Sequence, residues 1–257
     1  MLRKFFSLLT MFCLAGIMVY PVTAKIDSAN IVAVWLCDEG AGKTVADASG
    51  NGHDGKFVSK EGWTNNGKFG KALEFSGAPG NYVEIPHDDS LTLKVWTITA
   101  WVKQQPTGKW SVVLVKDPAN GIQNYALDMN EGGLVFSEIT SGGNWSDCGS
   151  TTNVQDDKWH FLAASYDGKN LHVYVDGKQE KEQPFGAGDV NKASVTIGDR
   201  LDKSQPIKGA MDDIGIFNVA LSEKDLNTIM NEGLNRQLSV DPASKLTTTW
   251  GRMKVDY

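Results

Sequence analysis

Short apolar runs with period-two alternation, cut at close intervals by Gly, Asn and Asp, restrict this chain to folds made of antiparallel strands. Runs at 32–36, 72–75, 82–85, 96–102, 112–115, 125–129, 134–139, 159–166, 171–175, 195–197 and 214–217 each read as a strand. Within 96–102, Trp96, Ile98, Ala100 and Val102 fall on one face. Asp167-Gly168-Lys169 separates two runs and reads as a hairpin turn. Many short strands joined by turns specify a sandwich or barrel, because a parallel sheet needs a long crossover between strands. With 257 residues, 41% of them hydrophobic, the chain can bury one substantial core. One helix is expected. Ser222 is its N-cap, Asp225 follows three residues on, Leu226, Ile229 and Met230 form its apolar stripe, and Gly233 stops it. Helical order is expected to end there, and residues 234–257 read as a polar tail or linker.

The first 24 residues read as a secretory signal. Arg3 and Lys4 precede an apolar stretch through Tyr20, and Val22-Thr23-Ala24 supplies small side chains for cleavage. Cleavage leaves no membrane-inserted segment and gives a secreted chain, extracellular, periplasmic or at the cell surface. Loss of Arg3 and Lys4 takes the formal net charge from −6 to −8. Such acidity argues against nucleic acid as a partner, since that binding rests on Lys and Arg at phosphates. Cys13 leaves with the signal. Cys37 and Cys148 remain, and in an oxidising compartment they form one disulfide or stay two small hydrophobes; the residues leave both open.

Several motifs resemble chemistry and fail on inspection. Gly50-Asn51-Gly52-His53-Asp54-Gly55 spaces its glycines like a nucleotide loop. No helix follows it, Asp54 would repel phosphate, and Phe57 stands where a P-loop needs Ser or Thr. The four histidines show no zinc-site spacing, and no G-x-S-x-G elbow occurs.

Two carboxylates stand out by face. Asp38 has the parity of Val32, Val34 and Leu36, and Asp212 that of Ile214 and Ile216. A carboxylate on an apolar face needs a partner, a metal or a solvated strand end. The loop at 47–55 is rich in oxygen donors, and Asp47, Asn51, Asp54 and Asp212 could together hold calcium. A plain Asx-rich turn is the other reading. Trp63, Trp110 and Trp145 fall near expected loops, where an indole can stack on a sugar ring while Asp or Asn bind its hydroxyls. The loop expected at 141–147 has that composition, so Trp145, Asn144, Asp147 and Trp110 form the candidate ligand set.

Four ordered segments carry a resemblance. Val34-Trp35-Leu36-Cys37-Asp38-Glu39-Gly40 precedes Asp47-Ala48-Ser49-Gly50-Asn51-Gly52. Gly70-Lys71-Ala72-Leu73-Glu74-Phe75 leads to Tyr82-Val83-Glu84-Ile85-Pro86. Trp159-His160-Phe161-Leu162-Ala163 precedes Tyr174-Val175-Asp176-Gly177-Lys178, and Gly209-Ala210-Met211-Asp212-Asp213-Ile214 leads to the helix. Together they resemble the laminin-G-like jelly-roll domains of the concanavalin A-like lectin/glucanase superfamily, over residues 25–233. The resemblance implies an all-β jelly-roll sandwich of two antiparallel curved sheets. It also implies recognition of an extracellular glycan or surface protein by rim loops, often with a calcium ion near the 47–55 loop and Asp212.

Binding, without catalysis, is therefore the first expectation. The alternatives are a polysaccharide-active glycoside hydrolase and a structural or adhesion module with no small ligand. Related glucanases carry E-x-D-x-x-E on one strand, placing their carboxylates on one face. No such string occurs here, and adjacent Asp212 and Asp213 would point to opposite faces.

Overall fold

A computed structural model describes residues 25–119 and 121–238. The expected signal and the tail beyond residue 238 lie outside the described residues. The strands in chain order are β1 (Ile31–Trp35), β2 (Thr44–Val45), β3 (Gly55–Phe57), β4 (Trp63–Thr64), β5 (Ala72–Ser76), β6 (Val83–Ile85), β7 (Trp96–Gln104) and β8 (Ser111–Lys116). They continue with β9 (Tyr125–Met129), β10 (Leu134–Ser141), β11 (Asn144–Asn153), β12 (Trp159–Tyr166), β13 (Asn170–Val175), β14 (Lys178–Pro184), β15 (Val195–Ile197) and β16 (Lys208–Phe217). Two short helices follow, α1 (Glu223–Glu232) and α2 (Leu234–Leu238).

The strands form two antiparallel sheets, the all-β jelly-roll sandwich expected. One runs β14-β13-β12-β7-β16-β5-β4, with β1 also on β16; the other runs β11-β10-β9-β8-β15-β6-β3-β2. Strand β16 serves two partners along one edge: Lys208–Met211 pair with β5, and Ile214–Phe217 pair with β1. Its register breaks between Asp212 and Gly215, where Asp213 takes φ 52°.

The core lies between the sheets. Trp35, Phe75, Trp96, Ile98, Tyr125, Leu127, Leu162 and Ile216 belong to it. Each such large apolar side chain contributes about 1.5–3 kcal/mol on burial. A second cluster covers the outer face of the first sheet, where Val34, Trp101, Phe161 and Phe217 pack against Leu226, Ile229 and Leu234. The helices supply that cover. Ser222 and Asp225 cap α1 reciprocally, as their spacing predicts. Helical order does not stop at Gly233. Leu234 is fully buried and its N–H donates to Asp213 Oδ2 at 2.7 Å. This apolar anchor carries the chain into α2 and extends the packed unit past the expected boundary.

The segment at 141–147, expected as a loop, is a hairpin. Gly142 and Gly143 take φ 56° and 77°, the left-handed pair that a two-residue turn between twisted strands requires. Both turn N–H groups donate to the Asp189 carboxylate, at 2.9 and 3.0 Å. Strand β11 therefore begins at once and forms the edge of its sheet. Two of its N–H groups near its C-terminal end are taken: Thr151 and Thr152 donate to Glu180 Oε2 of β14 at 2.6 and 2.9 Å. The edge strands of the two sheets are joined there by one carboxylate.

Cys37 and Cys148 do not form the bridge left open above. Both are free and buried. Cys37 lies two residues past the end of β1, beside Asp212 and Asp213, whereas Cys148 sits on the core side of β11 near Val173. Burial raises both thiols above their ordinary value, Cys148 to about 11.

Candidate functional site

With helices over the first sheet, open sheet surface belongs to the second. Alternation along β9 sends Tyr125, Leu127 and Met129 into the core and leaves Ala126 and Asp128 facing out. Register carries that outer face across neighbouring strands. Asp128 stands opposite Phe136, Phe136 opposite Gly149, Glu138 opposite Ala126 and Asp147, and Thr140 opposite Trp145. Gly149 is required by packing: a Cβ there would lie 2.7 Å from the Phe136 ring. Trp110, just before β8, packs against Phe136 with ring centroids 5.2 Å apart and the planes tilted by 45°.

A cavity of about 370 Å³ opens on this face, lined by Trp110, Trp145, Glu138, Asp117, Arg200 and Asp202, with Ser204 and Gln205 at its side. Trp145 is 51% exposed, the most exposed large apolar side chain among the described residues. The Arg200 guanidinium lies 5.5 Å from the Trp145 ring centroid and pairs with the Asp117 carboxylate. It also donates to Gln123 Oε1 at 3.3 Å. Arg200 and Asp117 are both buried, so the indole rests against a fixed ion pair.

Two buried carboxyls meet behind the cavity wall. Asp128 is fully buried, and neither of its oxygens has a hydrogen-bond donor among the described residues. It faces Glu138, which is 8% exposed. Burial first, and then the Glu138 charge, hold Asp128 well above the ordinary carboxylate range. Burial likewise pushes Glu138 up to about 6, with Asp147 adding to the rise and Gln123 and Asp128 opposing it. A pair so placed keeps a proton, with Asp128 as the acid.

A larger recess of about 750 Å³ lies along β4 and β5. Two of its polar side chains serve the fold: Asn81 accepts from Ser76 N–H and donates to the Lys60 carbonyl, and Trp63 donates to the Gly42 carbonyl. The Trp110–Trp145 cavity is the one with strongly shifted carboxyls and an open aromatic face.

The structure brings Trp110 and Trp145 together from distant parts of the sequence. Asp147 shares their sheet face beside Glu138, while Asn144 stays at the hairpin turn, donating to Ser141 O at 3.3 Å. Glu138, Asp128, Asp117, Arg200 and Asp202 were not anticipated. The signal for the first two was available: both fall at outward parity in runs read as strands.

The four residues considered for calcium are not assembled. Among the described residues no three His, Cys, Asp or Glu side chains converge on a metal position. Asp47 accepts N–H bonds from Val34, Ser49 and His53 at 2.9–3.0 Å. Burial works against these bonds and is outweighed, so the Asp47 carboxyl lies below its ordinary value. Asn51 donates to the Ile31 and Val32 carbonyls, and Asp54 accepts from Asp47 N–H. The loop is an Asx-rich clasp on the edge of β1. Asp212 takes no part in that clasp. Asp212 is fully buried, accepts from Phe69 N–H at 2.8 Å, and leaves Oδ1 without a donor. Burial, with Asp38 adding charge, pushes it up to about 6. Asp38 itself is exposed and accepts from Lys71 N–H.

The fold and this face define an all-β sandwich with one covered and one partly open sheet. Residues 76–227 match the laminin G family model of the concanavalin A-like lectin/glucanases superfamily, and the chain belongs to that superfamily. No curated protein matches the sequence. Among solved structures, domain 4 of AbnA, a GH43 extracellular arabinanase from Geobacillus stearothermophilus in complex with arabinotriose, is 21% identical with a TM-score of 0.64, covering 80% of this chain and all of that domain. The binding domain of Paraclostridial Mosquitocidal Protein 1 is 14% identical, TM-score 0.66, over 79% of this chain and 52% of its own. The botulinum neurotoxin serotype D ligand binding domain, solved with N-acetylneuraminic acid, is 13% identical, TM-score 0.61, over 79% and 51%. This chain thus spans about half the length of the toxin domains. At these identities the likeness is one of fold. No helix among the described residues is long and apolar enough to cross a membrane.

Proposed function

We propose that this protein is a secreted, non-catalytic module that binds extracellular carbohydrate at the Trp110–Trp145 cavity. One observation carries the reading: an indole 51% exposed, held on a strand and backed by a buried ion pair, beside a cavity lined with hydrogen-bonding side chains. A flat apolar ring among fixed polar groups is the surface that a sugar's apolar face and hydroxyl rim both fit. Two proteins of similar fold, solved with arabinotriose and with N-acetylneuraminic acid, support the same direction. A secreted module is also the form the basic-apolar-small leader suits. The test is a broad glycan array with the wild type and Trp145→Ala. Binding that falls in the variant supports the reading, and silence across the array overturns it in favour of a surface-protein partner or a structural role.

Hydrolysis is disfavoured by spacing. Glycosidase carboxyls stand about 5–9.5 Å apart to leave room for sugar and water, whereas Asp128 and Glu138 are in contact. Incubation of the bound glycan is expected to release no reducing ends.

Calcium belongs to the same reading at a different position from the loop. We propose Asp212, with Asp38 and neighbouring backbone carbonyls, as its holders. The orphaned Asp212 Oδ1 and the like charge of Asp38 support this, because a dication supplies the missing positive charge. Such an ion would brace the β1–β16 junction and take no part in ligand contact. Chelation is expected to lower the Tm and added calcium to restore it, both effects vanishing in Asp212→Asn. A melt unchanged by chelator overturns it.

A further inference from the structure

The cavity carries more acceptors and more negative charge than its own groups can satisfy. One guanidinium, Arg200, faces it, and that charge is already engaged by Asp117. Asp202 shares the same guanidinium at longer range. Glu138 on the wall and Asp147 beside it have no Lys or Arg partner among the described residues. Behind Glu138, Asp128 is fully buried without a donor, and Gln205 Oε1 on the cavity side lacks one as well. The aromatic pair Trp110 and Trp145 fixes where a sugar ring lies. The carboxyls fix which substituent the ring should carry.

Resting on the carbohydrate reading above, we propose that the cavity selects sugars bearing a protonated amine, hexosamines with a free amino group, and excludes anionic sugars. An ammonium brings several N–H donors and one positive charge to a wall short of both. A sialic or uronic acid would add a carboxylate beside Glu138, Asp147 and Asp202, and like-charge contact in a partly dry site is costly. An N-acetyl group removes the charge and adds another acceptor.

The test is titration calorimetry with glucosamine oligomers, N-acetylglucosamine oligomers of the same length, and sialyllactose. The free-amine oligomer is expected to bind at least about tenfold tighter than its acetylated counterpart, with sialyllactose weakest. Glu138→Gln should erase that preference while N-acetylglucosamine oligomers still bind. Glu61→Gln, in the separate recess along β4 and β5, should keep the preference, which separates site recognition from attraction to an acidic protein. A pH signature accompanies it. Asp128 on β9, Asp147 on β11, Gln123, and Arg200 with Asp117 are the groups around Glu138, and an ammonium there favours its ionised form. Amine binding should therefore release protons and strengthen as pH rises through about 6. Equal affinity for amine and acetylated oligomers, tightest binding of sialyllactose, or an undiminished preference in Glu138→Gln overturns the selectivity and leaves carbohydrate binding standing. No binding by any of these probes overturns the selectivity; only silence on the full glycan array removes the carbohydrate reading with it.

Discussion

Replacing Glu138 with Gln should stabilise the protein at alkaline pH and leave it unchanged in acid. Glu138 is buried against Asp128, and its carboxyl rises from an ordinary 4.5 to about 6 in the fold. Between those values the folded chain holds a proton that the unfolded chain has released. Stability is therefore fully present below about 4.5 and falls as pH climbs through about 6. Well above that point the buried charge costs about 2 kcal/mol, taking about 1.4 kcal/mol for each tenfold change in proton affinity. Gln keeps the size, removes the charge, and offers Asp128 the N–H donor it lacks. In urea unfolding followed by tryptophan fluorescence, the variant should gain about 2 kcal/mol near pH 8, or about 4–8 °C in Tm, and nothing near pH 4. The raised carboxyls remote from this pair, such as Asp199, cancel in the difference between the two proteins. A variant no more stable than wild type near pH 8, or one whose gain is the same near pH 4, refutes the account of a buried pair sharing a proton.

Three further outcomes follow from the geometry. Arg200→Met leaves the Asp117 carboxylate buried without its partner and should cost about 3–5 kcal/mol by denaturant midpoint, most of it recovered when Asp117→Asn is added. Gly149→Ala drives a methyl into the Phe136 ring, and through it into Trp110. Glycan affinity should fall with a stability loss of about 1–3 kcal/mol, read by calorimetry and thermal melts. Because Cys37 and Cys148 are free and buried, two thiols should react in the denatured, signal-cleaved protein and almost none in the native one, and reductant should not move the Tm.

Most strands announced themselves through alternation, because one face of each meets the core. Two did not. Strand β14, Lys178–Pro184, is a run of charged and polar residues with no apolar face, and pairing with β13 alone makes it a strand. In β11 the core side is filled by small or polar residues such as Cys148 and Ser150, which leaves no period to read. The same cause shaped the reading of the site. Trp145 was singled out as a loop aromatic, and it is exposed for a different reason, since it faces outward from an edge strand. Trp63, chosen on the same ground, packs edge-on against Phe57 at 5.6 Å. Asp128 and Glu138 carry no signal beyond outward parity, because outward carboxylates are ordinarily solvated; only the assembled sheet brings the two together. Asp47 falls in a loop rich in oxygen donors, and sequence does not distinguish a carboxylate that binds an ion from one that collects backbone N–H bonds.

The carboxylate of Glu180 has a consequence for assembly. An edge strand with open N–H groups recruits any extended chain that drifts past, including a second copy of itself. Strand β11 is such an edge, and it also presents Trp145. By filling the Thr151 and Thr152 donors, Glu180 takes that end of the edge out of such pairing. A second copy therefore meets a capped strand end beside Glu180 in place of a continuous open edge.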